Sequence, residues 1–178
     1  MASKPDPNPK SSQQAEVEPS ATASLDAVPP PIDPREAERV ASAWLRREGY
    51  TVVPIPRRTD RHAIETPDFE LRLKGRFAGA AEVKRCPALS GSSTVAAQRL
   101  TPVILKAERQ LAGGNPQGKG DSVLIIVCDP QVRDAAIRGT RAALASPILL
   151  LKRLRIDSIA VLDVSSGRVV EIEPTSQR

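Results

Sequence analysis

Between residues 66 and 84 the chain reads TPDFELRLKGRFAGAAEVK, and three side chains of this stretch could share one chemistry. Phe69, Leu71 and Leu73 alternate with polar residues, Lys74-Gly75 breaks the run, and residues 80–84 alternate again. This is the pattern of a β-hairpin with strands over 68–73 and 80–84. Successive side chains on a strand point to opposite faces. Phe69, Leu71 and Leu73 are therefore expected on one face and Asp68 with Glu70 on the other. Ala81 and Val83 turn inward while Glu82 and Lys84 point together the opposite way, so one twisted hairpin can bring Asp68, Glu82 and Lys84 to one spot. The two carboxylates and the carbonyl of Val83 then offer hard oxygen ligands to Mg²⁺ or Mn²⁺, ions that keep several waters and accept phosphate oxygens in the rest of their shell. Such an ion lowers the pKa of a bound water. Lys84 could orient that water or neutralise charge at the phosphorus.

The elements that must position this hairpin lie on either side of it. Asp33 and Glu36 have capping-box spacing with Pro34 at the first helical position, and Ala37, Val40, Ala41, Trp44 and Leu45 recur at helical spacing before Gly49 closes the helix. Residues 50–55 read as a strand that Pro54 and Pro56 either confine to a sheet edge or end early. A polar loop follows, in which Arg57, Arg58 and Arg61 beside His62 could grip phosphates; Glu65 stands three residues before Asp68. Beyond the hairpin, Arg85 adds a cation and Pro87 ends the strand. Residues 95–100 suit a helical turn that Thr101-Pro102 interrupts or kinks, and 103–111 resume the helix with Ile104, Ala107 and Leu111 as its packing face. Lys106 and Gln110 share another face, one turn apart. NPQGKGD lacks the Gly-Lys-Ser/Thr ending of a Walker loop. Residues 122–127 form an apolar run expected as a central buried strand. Asp129-Pro130 caps a helix through Leu144 that turns Val132, Ala135, Ala136, Ile137 and Thr140 to the core. Residues 148–154 are ambiguous between helix and strand, and a last hairpin turns at Ser165-Ser166-Gly167. This order gives an α/β fold with a mixed central sheet flanked by helices on both faces.

Pro67-Asp68 followed by Glu82-Val83-Lys84 resembles the PD…ExK signature of the restriction-endonuclease-like, or PD-(D/E)xK, nuclease superfamily, and the wider pattern is similar to its contact-dependent growth-inhibition toxin branch. The likeness covers roughly residues 36–164. It implies a metal-dependent endonuclease in which Asp68, Glu82 and the Val83 carbonyl hold Mg²⁺ or Mn²⁺ and Lys84 assists catalysis. It further implies an extra carboxylate on the first helix, Glu36 or Glu38, and polar residues from the helix after the hairpin, Gln98, Lys106 and Gln110. Arg57, Arg58, Arg61 and Arg85 are the expected nucleic-acid contacts. The toxin-like pattern suggests RNA, with tRNA as one candidate, as substrate, and an immunity or inhibitor protein as partner. The same core cuts DNA in restriction, repair and junction-resolving enzymes, some of them homodimers, and a degenerate copy would serve as a non-catalytic nucleic-acid-binding adaptor.

Composition agrees with an anionic partner. The 178 residues carry a formal charge of +5, and residues 1–32 hold two lysines against four carboxylates, so the excess belongs to the remainder. Trp44, Tyr50, Phe69 and Phe77 are the whole aromatic complement, too few for a base-stacking platform. Cys86, Cys128 and the single His62 argue against a disulfide framework or a zinc site. Residues 1–32, rich in Pro, Ser and Ala, are expected to be a disordered tail, 33–174 the folded domain, and 175–178 a frayed end. Neither a secretion signal nor an apolar run of about 18 residues is present, so action in the cytoplasm and no membrane contact are expected.

Overall fold

A computed structural model describes residues 31–56, 65–114, 119–152 and 154–174. The expected tail up to residue 30, the loop with Arg57, Arg58, Arg61 and His62, and residues 175–178 lie outside the described residues.

Asp33 starts the first helix, α1 (Pro34–Arg47), by accepting the N–H groups of Arg35 at 2.7 Å and Glu36 at 3.3 Å. Its buried stripe is Ala37, Val40, Ala41, Trp44 and Leu45. The chain continues through β1 (Thr51–Pro54), β2 (Phe69–Leu73), β3 (Arg76–Arg85), α2 (Ser93–Gly114), β4 (Asp121–Cys128), a 3₁₀ turn at Pro130–Val132, α3 (Arg133–Leu144), α4 (Pro147–Leu150), β5 (Ser158–Asp163) and β6 (Val169–Ile172). The six strands form one sheet in chain order. β3, β4 and β5 are parallel; β1 to β2, β2 to β3 and β5 to β6 are antiparallel.

The crossovers from β3 to β4 and from β4 to β5 step the same way across the sheet, and a shared hand puts their helices on one face. The side chains follow. Ala80, Leu124, Ile126, Ile159 and Val161 pack with Leu100, Ile104, Ala107 and Leu111 of α2 and with Ala136 and Ala143 of α3. Their neighbours Ala81, Val83, Val123, Ile125, Val127, Ala160 and Leu162 point the other way, onto α1. β4, apolar on both faces, is the central strand the sequence implied, and β1 is an edge.

Several local expectations are corrected. The second hairpin strand begins at Arg76 rather than residue 80. Lys74 and Gly75, with φ of 50° and 77°, form a tight turn suited to strand twist, and the ribbon continues past the point where Gly79 meets Asp121. A register shift between Leu71 and Arg72 goes with an exposed Leu73, 47 % accessible, not a core partner of Phe69 and Leu71. Pro102 does not break its helix. α2 is continuous, because the ring sits on an exposed side while Leu100, Ile104, Ala107 and Leu111 hold the helix to the sheet, and the Thr101 hydroxyl donates to the Ala97 carbonyl at 2.8 Å. The core-facing set expected on α3 does hold: Ala136 and Thr140 are buried along with Gly139 and Ala143, and the half-buried Val132, Ala135 and Ile137 pack against the same core; small residues let α3 press against α2. The ambiguous stretch after Leu144 starts as the short α4, with Ser146 as its cap and Pro147 at its first position. Among the described residues, no helix is long and apolar enough to cross a membrane.

Candidate active site

β2 pairs with β3 as far as Phe69 opposite Ala81. Beyond that point β3 continues and β2 does not, and the Asp68 side chain takes the place of the missing strand. Its carboxylate accepts the Val83 N–H at 2.9 Å, while its carbonyl accepts the N–H of Ile55 at 2.9 Å. In an extended strand a residue's N–H and C=O share an edge, so the Val83 carbonyl is directed to the same side as Asp68. The Asp68 N–H in turn donates to Glu82 Oε2 at 3.1 Å.

Glu82 is 1 % exposed and Asp68 9 %. Lys84 Nζ donates to Glu82 Oε1 and, at 2.6 Å, to Gln110 Oε1 of α2. The alternation of β3 puts Glu82 and Lys84 on the α2 face. Burial, and next the Asp68 carboxylate, push the Glu82 carboxyl up to about 7, against the opposing pull of Lys84 and the Asp68 N–H. Two buried carboxylates, one of them paired with the Lys84 ammonium, offer the oxygen ligands that a hard cation prefers. The described residues contain no group of three or more His, Cys, Asp or Glu placed to hold a metal. Two carboxylates and a backbone carbonyl nevertheless match an ion that retains most of its waters.

The structure thus brings Asp68, Glu82, Val83, Lys84 and Gln110 together. Lys106 and Arg85 join Lys84 in lining a cavity of about 590 Å³ above the ends of β3 and β4. Glu38 lines it too, and also borders a second cavity of about 510 Å³ that contains Asp68. Arg85 donates to the Ile32 carbonyl at 2.9 Å, fastening the segment ahead of α1 to the end of β3. The others stand apart. Glu36 pairs with Arg39 at 3.7 Å on the exposed side of α1. Gln98 is exposed, lines neither cavity and lies three turns before Gln110. Glu65 is exposed.

Two features carried no clear mark in the sequence. Gly114, at the end of α2, lies where a Cβ would collide with the Pro67 ring, so the helix that supplies Gln110 also braces the residue before Asp68. Asp129, Val132 and Ile32 complete the cavity; a crevice beyond the carboxyl ends of parallel strands is the place where such sheets accept ligands. Cys86 lines the same space, but burial pushes its thiol up to about 12, which removes it as a nucleophile at neutral pH.

Comparison of the chain with protein-family models, with curated proteins and with solved structures finds no match in any of the three.

Proposed function

We propose that this protein is a divalent-metal-dependent phosphodiesterase that hydrolyses nucleic acid. The observation that carries this reading is the buried, hydrogen-bonded Asp68–Glu82 pair, with Glu82 held by a lysine, Lys84, that lines a cavity together with Arg85 and Lys106. The resemblance to PD-(D/E)xK nucleases supports it, and a mixed sheet with helices on both faces is what that resemblance requires.

Asp68, Glu82 and the Val83 carbonyl would hold Mg²⁺ or Mn²⁺, which when bound supplies acidification of a water and stabilisation of charge on a phosphoryl oxygen. The chain's own groups do the rest. Asp68 is locked by Val83 and Ile55, so its carboxylate needs little reorganisation. Gln110 and Glu82 fix the Lys84 ammonium from two sides, where it can orient a water and meet negative charge developing on the phosphate. Arg85 and Lys106 add attraction for the backbone on either side of the scissile bond.

Water as nucleophile needs no 2′-hydroxyl. RNA, with tRNA suggested by the toxin-like pattern, and DNA are therefore both candidate substrates. An adaptor that kept these residues only as surface ion-pair partners would leave Glu82 in solvent, yet Glu82 is among the most buried side chains. Burying a carboxylate beside another is costly, and a site that binds a cation gives that cost a use.

The test is cleavage of total tRNA, duplex DNA, single-stranded DNA and a four-way junction with Mg²⁺ or Mn²⁺, with EDTA, and with Glu82→Gln beside wild type. Metal-dependent cutting that disappears in the variant is expected. Binding without cutting in every lane would sink the enzyme reading in favour of the adaptor.

A further inference from the structure

The cavity beside Lys84 has a shape and lining that groove-contacting phosphodiester chemistry does not need. Its volume of about 590 Å³ lies within the range of small-molecule sites, roughly 300–1,000 Å³, and it sits between the start of α1 and the middle of α2. One wall is apolar, built from Pro31, Ile32, Pro34 and Pro87. Prolines and aliphatic groups give flat, water-poor surfaces on which a planar ring can lie. Lys84 and Lys106 line the cavity as well, together with Asp129, and a phosphate is attracted by the two lysines. Phosphate is thus drawn to the lysines, next to Glu82, and an apolar ring to the proline wall. Arg85 holds that wall in place through the Ile32 carbonyl.

We infer that this cavity receives one unpaired nucleotide of the substrate, its base against the proline wall and its phosphate at Lys84 and Lys106. This rests on the phosphodiesterase reading and sharpens it: the preferred substrate presents a single-stranded, bulged or flipped-out nucleotide at the cut, since a base within a paired stack cannot leave it to enter a recess. A recess of this kind also answers the scarcity of aromatic residues, because a base can be gripped without a stacking platform.

The test is an amide NMR titration of the full chain, without metal, with cytidine monophosphate, ribose phosphate and inorganic phosphate. Wild type is compared with Ala88→Trp, which fills the cavity mouth, and with Ser90→Trp on the same exposed loop outside it. The mononucleotide should shift the Lys84, Arg85 and Cys86 amides and bind about tenfold tighter than ribose phosphate, the difference being the base. Ala88→Trp should weaken it about tenfold and Ser90→Trp should leave it unchanged. Equal affinity for all three probes, or no effect of Ala88→Trp, overturns the inference. In cleavage, a duplex with one unpaired nucleotide should be cut faster than its fully paired counterpart. Equal rates overturn the inference while leaving the phosphodiesterase reading intact, whereas mononucleotide binding with no nucleic acid cut supports the pocket and removes that reading.

Discussion

Asp68 and Glu82 clasp each other through the backbone: the Glu82 carboxylate accepts the Asp68 N–H at 3.1 Å, and the Asp68 carboxylate accepts the N–H of Val83, the next residue after Glu82, at 2.9 Å. Each acid is thereby fixed by the strand that carries the other. Burial first, and then repulsion by the Asp68 carboxylate, raise the Glu82 carboxyl above its ordinary range.

That upward shift gives a pH dependence of stability with a definite sign. The Glu82 carboxyl is raised from an ordinary 4.5 to about 7, so between those values the folded state binds more protons than the unfolded one. Stability therefore falls as pH rises through this window and levels off above it, by on the order of 3 kcal/mol from this residue. Urea denaturation of wild type and Glu82→Gln, without metal, at about pH 5 and about pH 8 should show the variant gaining on wild type as pH rises. Parallel behaviour would mean that Glu82 is not held as described.

Mn²⁺ should stabilise the protein, and more so at the higher pH, where it competes less with the Glu82 proton. At a hundredfold excess over its dissociation constant the gain is about 2.7 kcal/mol, readable as a rise in melting temperature that EDTA reverses. Asp68→Asn and Glu82→Gln should each abolish most of the rise. A rise that survives in both variants places the ion elsewhere.

Gln110→Leu removes one of the two acceptors that hold the Lys84 ammonium. A hydrogen bond to a charged group contributes about 1.5–3 kcal/mol, so single-turnover cleavage should slow by roughly ten- to a hundredfold, with an unchanged circular dichroism spectrum. An unaltered rate would show that Glu82 alone orients Lys84.

Two adjacent positions on α3 should respond in opposite directions. The Thr140 side chain is fully buried, and its hydroxyl has no partner among the described residues, so Thr140→Val should be neutral or stabilising by about 1 kcal/mol. A methyl at Gly139 would stand 2.7 Å from Ala96 Cβ and 2.9 Å from Leu100 Cδ1. Gly139→Ala should then cost about 1–3 kcal/mol despite its better helix propensity. Equilibrium unfolding decides both.

Much of this architecture is written in local pattern. Period-two alternation marks β2 and the end of β3, a continuous apolar run marks β4, and Asp33 with Pro34 marks the start of α1. The convergence of Glu82 and Lys84 follows from the same alternation. What the pattern could not supply depends on contacts distant in sequence. Pro102 looks like a breaker until the sheet beneath α2 is considered, and Leu73 reads as core until the hairpin is seen to run beyond the sheet. The separation of Lys106 and Gln110, which reach the site, from Gln98, which does not, depends on where α2 crosses β3. Glu36 and Glu38 are indistinguishable by composition; only the latter is turned toward the cavities.

The turn at Lys74-Gly75 has a consequence for chain entropy. Asp68 and Glu82 are separated by 14 residues within one hairpin, so gathering the two acids requires closure of only a short loop. The contact between Lys84 and Gln110 spans 26 residues and depends on the docking of α2. Loop closure costs more as the span grows, though slowly. Chain closure alone therefore favours the acid pair over the Lys84–Gln110 contact by about half a kcal/mol.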